Sequence, residues 1–178
     1  MSTETLIWLF PIVFMLHDFE ELIMIPPWIR LHGDDVARRF PFLAGTIGRF
    51  RTVSASGTAM MVLLMFALVA GITLVSALFG LVNLWAGAVV VFLLHFLVHI
   101  GQFLAYRGYV PAIVTSIPGA IWCVAALFTL SERSLLDWAQ VGLWTLAGMV
   151  LTAAWLAAAH HIGARFDRWL RGAFPRGF

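Results

Sequence analysis

A histidine and three acids stand together in Phe14-Met15-Leu16-His17-Asp18-Phe19-Glu20-Glu21-Leu22-Ile23, an apolar run that otherwise reads as a membrane helix. Ionisable groups at that depth are costly, which makes them functional candidates by default. Helix positions three and four apart share a face. At about 100° per residue, Glu20 and Glu21 flank the direction of His17 while Asp18 points elsewhere. The second such group is His95-x-x-x-His99-x-x-Gln102, where steps of four and three put all three side chains on one stripe. Two histidines one helical turn apart can hold one metal ion. The plainer reading is that each imidazole bonds a nearby carbonyl or hydroxyl. A His-x-x-x-His pair opposite a His-x-x-Glu-Glu cluster tilts the balance toward a divalent metal.

Further candidates are His160 and His161. Being adjacent, they diverge by about 100°, so one of the two is expected to face the site. Ala153, Ala154, Ala157 and Ala158 precede them and would let their helix pack closely. Gln102, Thr115 and Ser116 are candidates to orient the imidazoles by hydrogen bonds.

These residues need helices to position them, and the composition supplies them. The chain has 178 residues, 62% hydrophobic and 11% charged, with a mean hydropathy of +0.95. That excludes an ordinary soluble domain and predicts an all-α polytopic membrane protein. A span needs roughly 20 apolar residues. Five are expected, at about 5–25, 56–81, 84–106, 110–130 and 138–164, in one domain covering 1–178. Pro26-Pro27 are expected to close the first, leaving 26–53 as a connector at the membrane surface, and 165–178 reads as a basic amphipathic tail. All eleven basic residues are arginines. The connector holds Arg30, Arg38, Arg39, Arg49 and Arg51; the tail holds Arg165, Arg168, Arg171 and Arg176. With Arg107 these fall on one side of a five-span protein, and only Arg133 falls on the other. The positive-inside rule then predicts an outside N-terminus and a cytoplasmic C-terminus. The arginines lie in loops between apolar spans, so the net charge of +2 points to no nucleic-acid partner, and none is expected. The N-terminus lacks a basic stretch and a cleavage site, so its first apolar run is expected to be retained as a helix. One cysteine, Cys123, permits no intrachain disulfide.

Depth ties the candidates together. At about 1.5 Å per residue from the cytoplasmic helix ends, Glu21 is roughly 6 Å in, His17 roughly 12 Å, His99 roughly 10 Å, His95 roughly 16 Å and His160/His161 roughly 5 Å. All fall in the cytoplasmic half, as a polar cavity open toward the cytoplasm would require.

His17-Asp18-Phe19-Glu20-Glu21 near the start of a short polytopic chain resembles the HXXEE-motif family of small bacterial integral membrane proteins. The motif maps onto His17, Glu20 and Glu21. The His95/His99 helix and the Tyr109-Val110-Pro111 turn fit the same family less specifically. The resemblance implies a functional site at those positions and a multi-pass place in a bacterial cytoplasmic membrane. It does not supply a reaction.

His-x-x-Glu-Glu is also close to the inverted zincin motif His-x-x-Glu-His. On that pattern His17 and Glu21 bind the metal, His95 or His99 completes the shell, and Glu20 is the general base. The candidates outnumber the four ligands of a tetrahedral zinc, so a dinuclear iron, manganese or zinc site with bridging glutamates is as natural. The leading expectation is a membrane metalloenzyme, hydrolase or oxidoreductase, acting on a lipidic or other apolar substrate. A haem electron-transfer protein with axial histidines from the third and fifth spans leaves the glutamates without a task. A His/Glu proton or ion relay is the third class, weakened by the lack of an inverted repeat.

Overall fold

The computed structural model describes residues 1–174, so Arg176 of the expected tail lies outside the described residues. Among the described residues there are six helices and no strand: α1 (Thr3–Arg39), α2 (Ala44–Thr52), α3 (Ala55–Phe79), α4 (Val82–Tyr106), α5 (Ile113–Glu132) and α6 (Trp138–Ala173). A short 3-10 turn, Pro41–Leu43, joins α1 to α2. Side chains start several helices. Ser2 accepts from the Thr5 N–H, Ser54 from the Gly57 N–H, and Asp137 from the Ala139 and Gln140 N–H groups. These are the donors that the first turn of a helix leaves unpaired.

Four helices, α3 to α6, are long and apolar enough to cross a membrane. The fifth expected span, the first half of α1, misses that standard because Asp18, Glu20 and Glu21 interrupt its apolar run. It is nonetheless built into the same core. Leu6, Ile7, Phe10 and Phe14 of α1 are buried with Trp85, Val89, Phe92 and Phe96 of α4 and Cys123, Leu127 and Leu130 of α5.

The prolines do not end α1 as expected. The helix runs through Pro11, Pro26 and Pro27 for 37 residues. Each proline removes one backbone donor and crowds the preceding turn. At Pro11 the loss has a visible remedy. The Ile7 carbonyl, four residues back, accepts from the Trp85 indole N–H at 3.3 Å. Beyond Pro26-Pro27 the helix is held by tertiary packing. Ile29 and Val36 are buried with Ile47 of α2, and Tyr106 packs on that cluster. The Trp28 indole N–H also donates to the Tyr109 carbonyl at 2.9 Å. Most of the expected 26–53 connector is therefore helix.

Neighbouring helices run α1–α3–α6–α4–α5 and back to α1. α6 crosses this ring obliquely. Near its start it presses on α4, where a Cβ at Gly87 would come within 2.6 Å of the Trp144 Cβ. Further on it has moved to α3. There the Trp155 indole N–H donates to the Leu64 carbonyl at 2.9 Å, and a Cβ at Gly163 would lie 2.9 Å from the Gly57 carbonyl oxygen. Ser54 and Arg171 both bond the Asp167 carboxylate and fasten the end of α6 to the α2–α3 junction.

Candidate metal centre

Between the large core and the smaller one around Ile29, four side chains converge: His17 and Glu21 from α1, His95 and His99 from α4. Their candidate ligand atoms all lie within 4.8 Å of one another. The helical repeat brings the partners together. His17 and Glu21 are one turn apart on α1, as His95 and His99 are on α4. His17 Nε2 is 2.9 Å from His95 Nε2, and His95 Nε2 is 3.1 Å from His99 Nε2. Glu21 Oε1 is 3.0 Å from His99 Nε2, 3.8 Å from His17 Nε2 and 4.0 Å from His95 Nε2. Four atoms about 2.0–2.1 Å from one ion at the corners of a tetrahedron stand about 3.4 Å apart, in the middle of this range. The rings are held from behind by aromatic packing, with Phe96 edge-on to His17 at 4.9 Å between centroids.

Behind His17 lies a chain of hydrogen bonds. His17 Nδ1 is 3.0 Å from Thr115 Oγ1. Thr115 Oγ1 donates in turn to Glu20 Oε2 at 2.7 Å. The hydroxyl has one proton, and the carboxylate takes it. Thr115 therefore accepts from His17 Nδ1–H, and the His17 Nε2 lone pair points at the cluster.

With three neutral imidazoles and an ionised Glu21, protons alone do not satisfy that arrangement. With Nε2 of His17 an acceptor, His95 Nε2–H must donate across the 2.9 Å contact. His99 Nε2–H must then donate to Glu21, which leaves His95 and His99 facing each other N–H to N–H at 3.1 Å. Removing the proton from His99 Nε2 repairs that contact and sets its lone pair against the carboxylate. A cation shared by four lone pairs resolves every contact at once, and the donor set suits zinc, iron or manganese.

Glu20 is not among the four. Its Oε2 accepts from the Thr115 N–H at 2.8 Å, and its Oε1 accepts from the Val114 N–H at 3.3 Å and from the Tyr109 hydroxyl at 3.4 Å. It caps the start of α5 from another helix, where unpaired N–H groups and the helix dipole favour an anion. Ala112, just before α5, has φ 73°. That left-handed backbone costs an L-residue roughly 1–2 kcal/mol. The bonds to Glu20 offset part of it. Burial, with the Glu20 charge and hydrogen bond added, pushes the Tyr109 hydroxyl above its ordinary range. Tyr109 was visible in the sequence as part of the Tyr-Val-Pro turn, but nothing there assigned it to Glu20.

The other candidates fall elsewhere. His160 and His161 are exposed and outside the cluster, and His160 Nδ1 bonds the Leu156 carbonyl at 2.8 Å. By that level α6 has crossed to α3, away from His95 and His99. Gln102 is exposed. Ser116 is fully buried, but its hydroxyl has no hydrogen-bond partner among the described residues. Of the three expected orienting residues, only Thr115 reaches a cluster histidine.

A family model described as "Protein of unknown function with HXXEE motif" matches residues 8–126, about two thirds of the chain. The chain belongs to this family, and His17, Glu20 and Glu21 are its motif. Neither a curated protein nor a solved structure matches the chain.

Proposed function

With membership of the HXXEE family as the premise, we propose that the protein is a membrane-embedded metalloprotein with one metal ion held by His17 Nε2, His95 Nε2, His99 Nε2 and Glu21 Oε1. The observation that carries this is the convergence of three imidazole nitrogens and one carboxylate oxygen, all within 4.8 Å of one another. A single ion is favoured over a dinuclear centre because Glu20, the natural bridging carboxylate, is engaged by Thr115 and Val114. Haem ligation across α4 and α6 has no support, since His160 and His161 stand apart from the cluster.

The activity we assign is that of a metalloenzyme acting on a lipidic or other apolar substrate. A bound divalent ion there would act as a Lewis acid or activate a water. Four protein ligands saturate a tetrahedral zinc, whereas iron or manganese at higher coordination keeps a position for substrate. The His95 side chain is 44% exposed, so the cluster is not sealed on that side. His17 is held by Thr115 and Glu20, Glu21 supplies the one negative charge, and the rings of Phe92 and Phe96 exclude water from the rear of the site. The arginine distribution supports a cytoplasmic C-terminus and access from the cytoplasmic leaflet. Reporter fusions after Arg38 and after Arg171 should both read cytoplasmic.

The test is elemental analysis of detergent-purified protein. One transition metal per chain is expected, and His17→Ala, His95→Ala and His99→Ala should each lose most of it while still inserting and purifying. Wild-type protein that neither retains nor rebinds zinc, iron or manganese would sink the proposal.

A further inference from the structure

His161 does not reach the metal cluster, but it lines a groove of its own. Where α6 passes over the start of α3, a groove of about 420 Å³ is bounded by His161, Ile162, Arg165, Phe166 and Trp169 of α6 and by Met60 of α3. His161, Arg165 and Trp169 follow at steps of four, so they form one stripe. Ile162 and Phe166 form the next, also four apart. The groove thus has a cationic and hydrogen-bonding edge, an indole at one end and an apolar floor.

Its level in the membrane follows from helix length. α6 begins at Trp138. At about 1.5 Å per residue it has used the roughly 30 Å of a hydrocarbon core some twenty residues later, just before His161. His161 therefore stands at the headgroup layer, where phosphates lie, and Arg165, one turn further along the obliquely crossing α6, can reach back to it with its long side chain, while Trp169 lies beyond. Met60 and Ile162 stand at the boundary between the headgroups and the first acyl methylenes.

Of the neighbouring charges, Arg171 and Asp167 are already matched, whereas Arg168 is exposed and lies outside the groove lining. Arg171 donates to Asp167 and to the Thr52 carbonyl, and Asp167 also accepts from Ser54. His160 is bonded to its own helix. Among the described residues, Arg165 and His161 have no hydrogen-bond or ion-pair partner. A guanidinium offers several donors in a fork that fits a phosphate, and the imidazole one turn away offers another. The Phe166 and Trp169 rings, stacked at 5.8 Å, wall the groove beside them.

We propose that this α3–α6 groove is a binding site for one anionic membrane phospholipid, its phosphodiester held by Arg165 and His161 and its first methylenes lying on Met60 and Ile162. The site is independent of the metal centre. The network of Ser54, Asp167 and Arg171 fixes the angle between its two walls, so the lipid would seat against a preformed surface.

The experiment is native mass spectrometry of the full chain in mild detergent, with phosphatidylglycerol, phosphatidylcholine or inorganic phosphate added separately. One phosphatidylglycerol per chain should survive activation that strips phosphatidylcholine. Arg165→Gln combined with His161→Gln should weaken its binding about fivefold or more, in line with the loss of a cation at the headgroup surface. Arg165→Lys should fall between, and Arg30→Gln, an exposed arginine of α1, should leave occupancy unchanged. Should the double variant lose helix content, Ile162→Trp takes its place. It fills the groove without removing either cation and should expel the lipid. Retention of phosphatidylglycerol by the folded double variant, or an equal loss in Arg30→Gln, overturns the site. So does displacement of the lipid by equimolar phosphate, which would mark a free-anion site.

Discussion

Thr115 donates its hydroxyl proton to Glu20 across 2.7 Å, although the two are 95 residues apart in sequence. That bond divides the two glutamates of the motif. Glu21 faces the three imidazoles, and Glu20 faces the start of α5. Their separation follows from the helix, since neighbours diverge by about 100°.

Glu21→Gln and Glu20→Gln should therefore fail differently. Glu21→Gln replaces a ligand and should abolish stoichiometric metal. Glu20→Gln keeps an oxygen for the α5 N–H groups but lowers the charge behind His17. It should retain one metal per chain with affinity weakened about 10–100-fold, as when an outer partner of a ligand is altered. Metal titration of both variants decides; identical loss in the two would mean that Glu20 is itself a ligand.

Thr115 separates the cap from the relay. Thr115→Val keeps the backbone N–H that donates to Glu20 and removes only the hydroxyl between Glu20 and His17. Metal affinity should fall about 10–100-fold while helix content is kept. Thr115→Ser restores the hydroxyl and should restore affinity. A purely structural Thr115 would not distinguish valine from serine at the metal. With cobalt as the probe, the visible ligand-field bands should shift in Thr115→Val and return in Thr115→Ser.

His160→Ala and His161→Ala should each purify with full metal. Both side chains are exposed on a stretch of α6 that has left α4 for α3. Loss of metal in either variant would require α6 to approach α4 along its whole length, contrary to the crossing at Gly87 and Gly163.

That crossing marks where sequence reasoning stops. Periodicity along one helix placed His17 with Glu21 and His95 with His99, because those relations depend only on the helical repeat. Depth also grouped His160 with them, because depth is set by length along a helix. Which helices are neighbours at that depth is set by small residues such as Gly87 and Gly163, and their partners Trp144 and Met61 cannot be read from spacing. The same limit hid the role of Glu20, whose partners begin a helix 94 residues away. Pro26-Pro27 read as a stop because proline opposes a helix locally. The burial of Ile29 and Val36 against Ile47, which outweighs that opposition, is a tertiary fact.

Pro11 and Trp85 should be energetically coupled through the Ile7 carbonyl. Pro11 offers the Ile7 carbonyl no backbone N–H, and the fully buried Trp85 supplies one through its indole. Trp85→Phe keeps an aromatic ring near Phe10 and Trp122 but deletes that donor. A buried carbonyl left unpaired costs about 1–3 kcal/mol, and the smaller ring adds a cavity cost. Pro11→Ala returns the helical donor to the same carbonyl. In that background Trp85→Phe should cost less by roughly the hydrogen-bond share, giving a coupling of about 1 kcal/mol or more between two residues 74 positions apart. Thermal unfolding of the four proteins in one detergent measures the cycle. Additive effects would mean that the indole supports the core through its volume alone and that Pro11 is tolerated for another reason.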